Sequence, residues 1–161
     1  NEEVDLVISA DPEELAGIEF HELFTYEPIF IASRNHPLSK RPYIDAEDFA
    51  DQNIITYPVP KERLDLFNLL LLPAGIEPLS IRQIELTSVI LLLVSANKGV
   101  SVLPDWVLQS SRETDHLTQK RLTKKGTSRK LYAAVRRRDS EKLYIKTFLS
   151  LSKNILSRLS T

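Results

Sequence analysis

The chain has no cysteine among its 161 residues, which excludes a disulfide framework, thiol catalysis and thiolate metal sites. Long apolar runs are missing as well. The longest, Val89 to Val94, spans six residues, against the roughly 18 to 20 needed to cross a bilayer, so no membrane partner is expected. Four scattered glycines leave no Gly-rich phosphate loop, no G-x-S-x-G elbow and no dinucleotide fingerprint. His21, His36 and His116 are isolated, and none has a second ligand at metal-binding spacing. Neither a metal nor a cofactor is expected, and with no catalytic constellation in view the chain reads as a binding protein rather than an enzyme. A basic excess is also lacking, since the net charge is −1, and that removes the global signature of a nucleic-acid binder. The composition fits a soluble cytoplasmic protein. The missing initiator methionine, with an opening that runs straight into the apolar stretch Val4 to Ile8, leads us to expect a fragment.

The charge that is present is unevenly placed. Residues 1–60 hold 13 Asp and Glu against 3 Lys and Arg, and residues 61–161 hold 9 acids against 18 bases. A basic stripe through Lys120, Arg121, Lys124, Lys125, Arg129, Lys130 and Arg136-Arg137-Arg138 lacks the interleaved aromatics of a nucleic-acid surface. Mutual neutralisation of the two halves is the expectation.

The pattern is that of an α/β protein. Val4 to Ile8, Ile18 to Phe24 and Ile29 to Ser33 have strand character, and Asp45 to Phe49 reads as one helical turn capped by Asp45. Alternation follows: strand Ile54 to Tyr57, helix Lys61 to Leu72 closed by Gly75, strand Ser80 to Leu86, helix Val89 to Ala96, strand Val100 to Leu103. Two linked βαβ units with three parallel strands are expected there. Thr87 and Ser88 are the N-cap candidates of the second helix, and Lys98-Gly99 its stop. Strands are expected later at Leu117 to Leu122 and Leu131 to Val135. A final helix from Ser140 carries an apolar stripe of Tyr144, Phe148, Leu151, Ile155 and Leu159.

Chemistry concentrates where helix N-termini meet the carboxyl edge of the sheet. Thr87 and Ser88 offer hydroxyls and backbone N–H groups to an anionic or zwitterionic ligand, or Thr87 merely caps its helix. Arg63, in the first turn of the Lys61 helix, stands against the macrodipole and either holds a carboxylate or pairs with Glu62 or Asp65. The helix Val89 to Ala96 is apolar on more faces than one sheet covers, which points to self-association.

In order and spacing, several segments resemble the effector-binding domain of LysR-type transcriptional regulators. They are Val4 to Ile8, Ile29 to Leu38 ending in His36-Pro37-Leu38, Ile44 to Phe49, and Lys98-Gly99-Val100-Ser101-Val102-Leu103-Pro104. Within that family the likeness runs to homocysteine-responsive regulators of methionine biosynthesis, through Ile55 to Val59, Arg63-Leu64-Asp65, Pro73-Ala74-Gly75 and Leu131 to Arg136. The resemblance implies a two-lobed, type 2 periplasmic-binding-protein-like fold over residues 1–161, with lobe one incomplete at its N-terminus. Lobe one would comprise 1–34 and about 130–161, and lobe two about 44–128. It also implies a ligand cleft carried onto Ser9, Asp11, Tyr57, Pro58, Val59, Thr87, Val102, Leu103 and Pro104, with homocysteine or a related amino acid as effector. DNA would be contacted only through an N-terminal domain absent from this chain. A free-standing solute-binding protein of the same fold is the alternative.

Overall fold

A computed structural model describes residues 6–9, 17–112, 114–136, 145–147 and 149–151. The strands are β1 (Leu6–Ser9), β2 (Ile18–Tyr26), β3 (Pro28–Ser33), β4 (Asn53–Thr56), β5 (Ser80–Gln83), β6 (Ser101–Pro104), β7 (Leu117–Arg121) and β8 (Arg129–Arg136). Among the described residues the α-helices include α1 (Leu72–Ala74), α2 (Thr87–Ser95) and α3 (Asp105–Gln109), and residues 145–147 and 149–151 are helical as well. They fall into two units, residues 1–26 with 128–161, and residues 27–127.

In the first unit β8 is the central strand of an antiparallel sheet, ordered β1-β8-β2. Ala133 and Val135 alternate into the core, as one half-buried face requires. The register of β2 shifts between Glu22 and Phe24. That extra residue lets two neighbours, Leu23 and Phe24, both be buried. β8 begins before the expected Leu131 because Lys130 and Arg129 pair with Thr25 and Tyr26. Of the expected stripe on the final helix, Leu151 is 55% exposed, whereas Ile145 and Leu149, four residues apart, are buried. Tyr144, Ile155 and Leu159, with the side chain of Phe148, lie outside the described residues.

In the second unit β3 lies at the centre of an antiparallel sheet, β6-β3-β7, whereas the family resemblance implies a place for it in lobe one. β4 and β5 pair in parallel. The expected third parallel strand is reduced to a single bridge between Ile54 and Val100, because β6 turns to pair with β3. Adjacent residues of one strand enter different cores. Phe30, Ala32 and Ile54 pack with Phe49, Phe67, Leu70 and Leu71, while Ile31 and Ile55 pack with Ile90, Leu91, Val94 and Leu108. Burial on both faces is the mark of strands sandwiched between helices.

The helices depart from their expected outlines for local reasons. A continuous helix from Lys61 does not form: Lys61–Arg63 is a 3₁₀ turn, and Leu64 is extended at φ −89°, ψ 130°. Phe67–Leu71 is then a π-helical turn, with the Leu72 N–H bonded to the Phe67 carbonyl. Pro73 supplies the cause, since it has no N–H and its ring clashes with the carbonyl four residues back in an α register. Gly75 closes α1 at φ +66°, as expected. α2 is capped by Leu86, not by Thr87 or Ser88, and no side chain serves the cap. Its other end is a Schellman motif. Asn97 takes φ +59°, the Lys98 N–H reaches the Leu93 carbonyl at 3.0 Å, and the Asn97 N–H reaches that of Val94 at 3.0 Å. Asn97 therefore does what the sequence assigns to Gly99. Asp45 opens its expected turn, where the Asp48 carboxylate accepts the Asp45 N–H at 2.8 Å.

Candidate functional site

The ends of β4 and β6 form two sides of a cavity in the second unit. The parallel bridge at Ile54 and Val100 orients both strands alike, so Thr56-Tyr57 and Val102-Leu103-Pro104 emerge at the same carboxyl edge. The third side is the segment Arg63 to Phe67, carried across the opening by the extended Leu64. Pro28 completes the wall, and the cavity, partly open to solvent, has a volume of about 140 Å³. Most of the lining is apolar, from Ile54, Leu64, Leu66, Phe67, Val102 and Leu103. Thr56, Tyr57, Arg63 and Asp65 supply the polar groups. A small apolar cavity with a few convergent polar groups is the usual form of a small-molecule site.

Tyr57 is anchored by several hydrogen bonds. Its hydroxyl and that of Thr87 share a hydrogen bond of 2.6 Å. Its carbonyl accepts from the Thr56 hydroxyl at 2.8 Å and from the Val59 N–H at 2.9 Å. Just beneath, the Ser101 hydroxyl donates to the Ile55 carbonyl at 2.6 Å in a fully buried setting, which ties β6 to β4. Phenol and hydroxyl thus link the cavity to the first turn of α2.

Of the residues named from sequence, Tyr57, Arg63, Val102, Leu103 and Pro104 line the cavity together. Pro58, Val59, Thr87 and Ser88 do not. Pro58 and Ser88 are exposed, and Thr87 reaches the cavity only through Tyr57. Arg63 belongs to the short 3₁₀ turn, so the macrodipole of a long helix does not act on it. Ser9 lies in β1 of the other unit, its backbone opposite Tyr132, and Asp11 is outside the described residues. Sequence reasoning missed Thr56, Leu64, Leu66 and Phe67 as lining. The first adjoins Tyr57 and could have been included; the others depend on the break at Leu64 and on the π turn.

His36 has a structural task. Its Nδ1 accepts the Leu38 N–H at 3.0 Å, which places its proton on Nε2, 2.8 Å from the Gln52 Oε1. Among the described residues no group of three or more His, Cys, Asp or Glu could hold a metal, and no helix is long and apolar enough to cross a membrane. Acid-rich and base-rich parts of the chain do meet. Glu27 pairs with Arg121 at 2.9 Å and Glu22 with Lys130 at 3.5 Å.

Comparison with known proteins gives one consistent result. The HTH-type transcriptional regulator MetR of Haemophilus influenzae is 35% identical over 150 residues, which is 93% of this chain and 48% of that protein. The chain spans about half the length of the curated relatives it matches. The regulatory domain of MetR, a LysR family regulator from N. meningitidis, superposes with a TM-score of 0.90 at 37% identity, covering 95% of this chain and 70% of that one. The effector binding domain of QuiR in complex with shikimate superposes with a TM-score of 0.74 at 26% identity, covering 96% and 72%. Residues 1–156 match the LysR substrate binding domain, and the chain belongs to that family.

Proposed function

We propose that this chain is the effector-sensing part of a cytoplasmic transcriptional regulator of methionine biosynthesis, and that its ligand is homocysteine or a related α-amino acid. The supporting observation is the cavity at the carboxyl edge of β4 and β6, which sets a cation (Arg63), a carboxylate (Asp65) and the hydroxyls of Tyr57 and Thr56 against an apolar wall, charges of both signs as a zwitterion requires. Arg63 and the Tyr57 hydroxyl take the carboxylate; Val102, Leu103 and Phe67 face the sulfur-bearing side chain. Thr87 acts through Tyr57, holding its ring in place. The two units correspond to two effector lobes, 1–26 with 128–161 and 27–127. DNA recognition belongs to a segment outside this chain. Copies associate through α2 and its cap, where Leu86 and Leu92 are 63% and 66% exposed beside the half-buried Val89 and Leu93.

Titration calorimetry of homocysteine into the full-length protein tests the reading. Saturable binding that Arg63→Ala weakens supports it. Absence of heat and of thermal stabilisation at millimolar ligand refutes the ligand assignment.

A further inference from the structure

We propose that Phe67 is a length gate that determines ligand specificity: it walls the 140 Å³ cavity off from a second, larger one and so limits the side chain an amino-acid ligand can carry. The inference rests on the reading that a small α-amino acid occupies the first cavity. The second cavity, about 410 Å³, lies in the same unit and is lined by Leu71, Leu72, Gly75, Ile76 and Ile81 among others. Phe67 lines both. It is 2% exposed and packs with Leu70 and Leu71 in one core, so its ring has little freedom to swing aside. Its backbone is fixed as well, since its carbonyl accepts the Leu72 N–H that defines the π turn.

Size makes the wall consequential. An engineered cavity of about 150 Å³ holds benzene, so the 140 Å³ of this partly open cavity matches a short amino-acid side chain, and a longer one directed inwards meets Phe67. With the carboxylate held by Arg63 and Tyr57, each added methylene presses towards Phe67. A single methylene in an apolar pocket is worth about 10- to 200-fold in discrimination. Shortening the wall to alanine joins the two spaces and removes that limit.

The test is a calorimetric series on the full-length protein with homocysteine, methionine, S-ethyl-homocysteine and S-butyl-homocysteine. The wild type is expected to bind the S-butyl compound at least 10-fold more weakly than the best of the shorter ligands. Phe67→Ala should cut that ratio to about 3-fold or less, and Phe67→Leu should give an intermediate ratio with less risk to folding. The wild-type series and Phe67→Leu keep the proposal open to refutation if Phe67→Ala does not fold. Equal wild-type affinity across the series overturns the gate, as does an unchanged ratio in Phe67→Leu. A wild type that binds none of the four amino acids overturns the functional reading and the gate together; binding with unaltered ratios overturns the gate alone.

Discussion

Replacing Gly99 by alanine isolates a contact that no local rule anticipates. Gly99 is not in the left-handed region, so backbone conformation permits a side chain there. In an unhindered position the substitution would stabilise by about 0.4 to 1 kcal/mol, through the loss of unfolded-state freedom. Here a Cβ would stand 2.7 Å from the Asn53 carbonyl oxygen and 3.0 Å from the Ile55 Cδ1. Restoring ordinary contact at 3.4 Å requires the strands to part by about 0.7 Å. Two hydrogen bonds cross that junction, Val100 N–H to the Asn53 carbonyl at 2.9 Å and Ile55 N–H to the Val100 carbonyl at 2.8 Å. Each contributes about 0.5 to 1.5 kcal/mol net. With the entropic gain set against them, Gly99→Ala should destabilise by about 1 to 2 kcal/mol. Urea denaturation reads this as a lower midpoint with an unchanged slope. An unchanged or raised midpoint would mean that β4 and β6 are not held as closely as described, and the reasoning would be refuted.

A double-mutant cycle of Tyr57→Phe and Thr87→Val should show a coupling of about 1 kcal/mol in stability, the scale of one hydrogen bond between neutral groups; purely additive effects would show that the hydroxyl pair carries no energy. Arg63→Ala should weaken amino-acid binding by about 1 to 2 kcal/mol in calorimetry while barely moving the melting temperature, since Arg63 is exposed. His36→Ala removes the acceptor of the Leu38 N–H and the partner of Gln52, and should cost about 1 to 2 kcal/mol. Amide exchange at Leu38 should accelerate by an order of magnitude or more, and unaltered exchange would show that the turn holds without its cap.

Features legible in the sequence are those fixed by neighbours in the chain. The Asp45 turn, the Gly75 stop and most strands depend on residues within a few positions, and period-two burial follows from the pleat. The failures share a cause too. Thr87 has the chemistry of a cap, but its hydroxyl is taken by Tyr57, thirty positions away. Gly99 looks like a helix stop, yet Asn53 and Ile55 on another strand are the reason for a glycine there. Of the five named site residues that line one cavity, four sit at the ends of β4 and β6, which the sequence orders as parallel strands and the Ile54–Val100 bridge aligns, and Arg63 reaches it from the 3₁₀ turn. Phe67 escaped because its position depends on a π turn, which apolar periodicity cannot distinguish from an α-helix.

The π turn also constrains how this segment can change length. A π turn is an α-helix carrying one surplus residue, and here it falls on a run of four leucines, Leu69 to Leu72. Loss of any one of them yields the same shortened chain, so a single deletion event has four equivalent origins. That shorter chain would be drawn back to α geometry, and Pro73 would then press on the carbonyl of Asn68. Residue count and proline are therefore coupled: a deletion is tolerable only together with a substitution at Pro73, and related chains that lack one of these leucines should lack this proline as well.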